Sequence, residues 1–207
     1  MKHNIKITII LIAMFLVAQF IGLYVINQYS PVNQTIYNPE TGQTQNITLN
    51  QSLPYGMQPP QTSAGPNLIS IIISFIIAIT LIFILTKYRW KFFIKLWFFA
   101  VVVLALSLAL NAFLKNYIPY SAIIVLIIAI PLGLIKIYKP NFYVHNLTEL
   151  LIYPGIAAVF VPILNIWTII ILLILISIYD IWAVWHSGIM QKIAKFQINE
   201  LKILGGF

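Results

Sequence analysis

A chain of 207 residues that is 61% hydrophobic and only 8% charged cannot cover a water-facing surface. With a mean hydropathy of +0.95, its solvent has to be lipid. The lack of cysteine excludes disulfides, thiolate metal centres and cysteine nucleophiles, and the net charge of +8 needs its positions read before it implies a partner.

Six apolar runs are long enough to cross a hydrocarbon core of roughly 30 Å at about 1.5 Å per helical residue. They fall at 7–26, 68–85, 92–114, 118–135, 147–164 and 166–185, more than half of the chain. None alternates apolar with polar as a barrel strand would. The predicted fold is therefore all-α, a polytopic bundle of six transmembrane helices occupying residues 1–187. The first run exceeds a signal-peptide core and lacks a clean cleavage site, so it is read as a retained helix.

Lys and Arg divide unevenly among the connections. Eleven lie at the N-terminus, in the second and fourth connections and in the tail; only Lys115 lies on the other side. This places both termini in the cytoplasm, in a cell membrane whose inner face is cytoplasm. Anionic lipid headgroups account for such juxtamembrane clusters, and no basic face with stacking aromatics stands outside the bilayer, so nucleic acid is not an expected partner.

Residues 28–66 form the long outer loop, with six prolines and one charge, Glu40, and are expected to be mobile or loosely packed. The loop holds three glycosylation sequons, at Asn33, Asn46 and Asn50, although a further match at Asn146 on the cytoplasmic side shows how cheap the pattern is. Residues 188–207 read as a cytoplasmic amphipathic tail, with Lys192, Lys195 and Lys202 opposite Met190, Ile193, Ala194, Leu201 and Leu204. The sequence stops abruptly at Gly205-Gly206-Phe207 and is expected to be interrupted before further transmembrane helices.

Four acidic residues carry whatever carboxylate chemistry exists: Glu40, Glu149, Asp180 and Glu200. Glu149 is explained by a favourable place at the N-terminus of the fifth helix. Asp180 lies inside the sixth, about 8 Å from its cytoplasmic edge. An Asp at a helix centre costs about 2.5–3.5 kcal/mol, somewhat less off-centre, and such groups mark functional sites by default. Ser177, Asp180, Ala183 and Ser187 follow helical spacing as a small, polar stripe against a neighbouring helix, while Trp182 and Trp185 suit the interfacial belt. Asn111 and Gln19 are expected to hydrogen-bond between helices, and Pro154-Gly155 and Pro162 to bend the fifth helix. His3, His145 and His186 are too scattered for a metal site, and no cofactor is expected.

The run Ile178-Tyr179-Asp180-Ile181-Trp182-Ala183-Val184-Trp185 resembles the presenilin and signal-peptide-peptidase superfamily of intramembrane aspartyl proteases, most nearly its archaeal presenilin-like members. The resemblance covers the chain as the N-terminal, six-helix half. It implies that Asp180 is one of two catalytic aspartates and that Tyr179 positions the substrate, a transmembrane segment of another membrane protein. The family's second aspartate, in a Gly-x-Gly-Asp motif on helix seven, and its Pro-Ala-Leu motif on helix nine are absent from the sequence. The chain alone is accordingly expected to be inactive and to need a C-terminal half as partner. The alternative is a transporter subunit or scaffold with Asp180 as a proton, cation or structural site. A degenerate half that binds without cutting is the third reading.

Overall fold

The computed structural model describes residues 5–30, 32–38, 43–49, 53–57, 64–139, 141–161 and 164–202. In chain order these form α1 (Ile5–Tyr29), β1 (Val32–Asn38), β2 (Gln43–Leu49), α2 (Ala64–Lys87), α3 (Lys91–Leu114), α4 (Ser121–Tyr138), α5 (Phe142–Phe160), α6 (Ile166–Trp182) and α7 (Ile189–Phe196). π-helical turns follow α6 at Ala183–Ser187 and α7 at Gln197–Leu201. The predicted positions Glu40, Asn50, Pro162, His3 and 203–207 lie outside the described residues, as do the side chains of Asn33, Asn46, His186, Ser187 and Met190.

Among the described residues five helices are long and apolar enough to cross a membrane: α1, α2, α3, α4 and α6, the last counted on through its π-helical turn to Trp185. The chain is thus a helical membrane bundle. α5 departs from the predicted run at 147–164. It starts at Phe142, where the Asn141 side chain accepts a hydrogen bond from the Tyr143 amide at 2.9 Å, and ends at Phe160. Its first half therefore includes His145, Asn146, Thr148 and Glu149, which lowers its hydropathy. The helix tolerates them because it packs between α1 and α3, where His145, Thr148 and Glu149 are buried in protein.

Small residues set the closeness of this packing. A Cβ on Gly155 of α5 would overlap the backbone carbonyl of Ala105 in α3. On the other flank of α3, a Cβ on Gly133 of α4 would stand 2.7 Å from Val103 Cγ2. Leu106, Leu108, Val125 and Ala129 fill the interior around these approaches.

Polar groups tie the helices together near the outer loop. The Tyr29 hydroxyl donates to the Leu108 carbonyl at 3.0 Å, and Asn111 Nδ2 donates to the Tyr29 hydroxyl at 3.0 Å. Ser121 Oγ donates to Asn111 Oδ1 at 2.7 Å, so Asn111 joins α1, α3 and α4 as anticipated. Gln19, by contrast, is exposed in a groove between α1 and α5. Lys115 donates to the Gln28 carbonyl and lies 4.8 Å over the Tyr29 ring; partial burial lowers its pKa below the ordinary lysine value.

The described residues of the outer loop include regular structure. β1 and β2 pair antiparallel throughout, from Val32 opposite Leu49 to Asn38 opposite Gln43, adding a two-stranded element to an otherwise helical fold. Farther on, Leu53 is buried against Val25 and Tyr29, and the Tyr55 hydroxyl donates to the Ala122 carbonyl at 2.8 Å.

The other end of the bundle contains a correction to the reading of its charges. Glu149 is two turns inside α5, beyond the reach of the helix N-terminus, and pairs with Lys136 of α4 at 2.6 Å. Both side chains are buried, and His145 Nδ1 lies 3.1 Å from the same ammonium. Lys136, counted as a connection lysine, therefore neutralises an acid inside the protein.

Candidate active site

α6 starts at Asn165, whose side chain accepts from the Thr168 amide at 2.8 Å. Of its 17 residues only Thr168 is buried, which sets it apart from α3 and α5. Tyr179 and Asp180 lie in its last turns and are half-buried. The Tyr179 ring meets Phe75 of α2 edge to face, with centroids 6.2 Å apart and planes at 81°.

This contact borders a cavity of about 560 Å³ lined by α2, α5 and α6. Ile72, Phe75 and Ile79 of α2, Phe160 of α5, and Leu175 and Tyr179 of α6 line much of it. Its wall is almost wholly apolar, Thr80 and Tyr179 being the lining residues that carry a hydroxyl. Tyr179 lines the cavity; Asp180, one residue on, does not. Among the described residues the Asp180 carboxylate has no hydrogen-bond or salt-bridge partner.

The predicted small, polar stripe holds in part. Ala183 is fully buried, but Ser177 is exposed and its hydroxyl bonds back to the Leu173 carbonyl at 2.8 Å. The side chain of Ser187, the last position of the predicted stripe, lies outside the described residues. Residues Ala183–Ser187 form a π turn, whose i→i+5 bonding widens the interval along the face. Gly188, at φ 60°, then redirects the chain into α7. Trp182 and Trp185 are exposed, as an interfacial position requires.

Two features next to Asp180 escaped the sequence reading. One is the π turn, for which the only local signal was Gly188. The other is Phe75, an ordinary apolar residue of α2 until the fold brings it to Tyr179.

A helical, multi-pass membrane protein with a carboxylate near one end of a spanning helix, beside an apolar cleft, is the class that these features define. The family model described as signal-peptide peptidase, presenilin aspartyl protease matches residues 45–204, and the chain belongs to that family of membrane aspartic proteases. No curated protein and no solved structure matches the chain.

Proposed function

We propose that the chain is the N-terminal portion of a presenilin-like protease that hydrolyses peptide bonds within transmembrane segments, with Asp180 as one of its two catalytic aspartates. The observation that carries this reading is a carboxylate on α6, a family member's sixth apolar run, that is unpaired among the described residues and whose neighbouring Tyr179 lines an apolar cleft. In this reading α5 is a sixth span, sheltered by α1 and α3. Both termini are cytoplasmic, as the distribution of Lys and Arg favours, ten to one once the buried Lys136 is set aside.

The chemistry follows from two adjacent carboxyl groups, which cannot both ionise. The ionised one takes a proton from a water, and the water oxygen attacks the scissile carbonyl carbon. The protonated one gives its proton to the carbonyl oxygen. Collapse of the tetrahedral intermediate breaks the C–N bond as the amine takes up a proton. Asp180 fills one of these roles. The second aspartate, absent from these 207 residues, would come from a C-terminal partner segment. The substrate helix would lie along the apolar cleft, with Tyr179 positioning its unwound stretch.

Much of α6 is exposed, including Leu173, Ile174, Ile178 and Ile181, which leaves surface for the helix bearing that second aspartate. Family membership favours this reading over a transporter or scaffold.

The test is cleavage of a transmembrane substrate in proteoliposomes by the chain alone and with a partner segment carrying Gly-x-Gly-Asp. The pair is expected to cut, the chain alone to be inactive, and Asp180→Asn to abolish cutting by the pair. Cleavage by the chain alone that survives Asp180→Asn would overturn the assignment.

A further inference from the structure

The segment after Gly188 turns back toward the end of α2 and borders with it a second, open cavity of about 540 Å³. Its wall is apolar where Phe83 of α2 meets Ile193 and Phe196 of α7. Its mouth is cationic, formed by Lys87, Arg89, Lys192 and Lys195. One carboxylate, Glu200, also borders it and is already engaged by Arg89 at 2.8 Å and by Lys91 at 3.0 Å. Lys87, Lys192 and Lys195 have no salt-bridge partner among the described residues. Three like charges held around one hollow repel each other, and an anion placed between them relieves that repulsion.

Position identifies the anion. The apolar run of α2 ends at Lys87, with exposed Tyr88 and Trp90 beside it, so the cavity lies at the level of the membrane interface. An apolar wall below and cations above match an acyl chain joined to a phosphate. Clusters of four or more Lys and Arg just beyond a spanning helix or on an amphipathic helix bind anionic lipid headgroups.

We propose that the cavity between the end of α2 and α7 binds an anionic phospholipid, its phosphate among Lys87, Arg89, Lys192 and Lys195 and its acyl chain along Phe83. No residue of this site borders the Asp180 cleft, so the site stands whether or not the chain is part of a protease.

Native mass spectrometry of the full chain released from nanodiscs of equimolar phosphatidylglycerol and phosphatidylcholine tests it. Phosphatidylglycerol should be retained in preference. Each single Lys87→Gln, Lys192→Gln or Lys195→Gln change should cut that retention about fivefold, and the triple change more than about tenfold. The corresponding Lys→Arg triple should retain it, which separates loss of charge from loss of folding. A control triple, Lys6→Gln with Lys95→Gln and Lys139→Gln, should leave retention within about twofold.

Equal retention of the two lipids overturns the proposal, as does equal loss in both glutamine triples, which would indicate a diffuse surface potential. Complete displacement of the lipid by millimolar inorganic phosphate would assign the cavity to a free anion instead. Capture of an oligoglutamate peptide in pure phosphatidylcholine nanodiscs, without lipid preference, would assign it to an acidic peptide segment.

Discussion

Lys136 and Glu149 show how a charge can be more costly to leave alone than to bury. Their 2.6 Å contact is enclosed by protein, and His145 and Tyr153 add polar contacts around it. Removing one partner strands the other, which costs about 3–5 kcal/mol, whereas replacing both with apolar groups of similar size is often neutral or better. Glu149→Leu is therefore expected to lower the thermal unfolding midpoint in detergent sharply, and Lys136→Met with Glu149→Leu to restore most of it. Asp180 should behave oppositely. Its carboxylate has no partner among the described residues, so Asp180→Asn is expected to shift stability by no more than about 0.5 kcal/mol. A large shift in the unfolding curve would mean that the acid holds the fold together.

Among the elements, α3 with α5 and α7 with the α2–α3 turn illustrate two strengths of attachment. Gly155 lies against the Ala105 carbonyl with no room for a methyl group, so Gly155→Ala must push the helices apart. Overpacking of this kind costs about 1–3 kcal/mol and should appear as a lowered unfolding midpoint. The segment after α7 is held by fully buried Leu201 and by Glu200 between Arg89 and Lys91. Arg89 and Lys91 are largely exposed, and surface ion pairs contribute about 0–1 kcal/mol, whereas deleting a buried leucine side chain costs about 2–5 kcal/mol. Hydrogen exchange over 189–201 should accelerate strongly in Leu201→Ala and only slightly in Glu200→Gln. The reverse order would make the ion pairs the principal anchor.

Over the whole molecule, the features legible in the sequence are those on which the lipid acts residue by residue. Long apolar runs reveal helices because hydrocarbon rejects unpaired backbone, and Asp180 is conspicuous because hydrocarbon rejects charge. Features that depend on which helices meet stayed hidden. The partnership of Lys136 with Glu149 needs the turn between α4 and α5, and the early start of α5 was masked because polar residues facing protein resemble an interface. The β1–β2 hairpin lacked the clean apolar alternation that marks a half-buried strand. At this scale the expected functional result is a split phenotype: Asp180→Asn should leave the assembled protein folded and eliminate proteolysis of a transmembrane substrate. Residual cleavage would remove Asp180 from the reaction.

The sparse burial of α6 bears on the order in which the protein is assembled. Eleven of its residues are Ile or Leu, each favouring insertion by roughly 0.3–0.6 kcal/mol, enough to outweigh an aspartate's penalty of about 2.5–3.5 kcal/mol. The helix can consequently leave the translocon for lipid on its own merits, and whatever later covers its acid can arrive as a separate event.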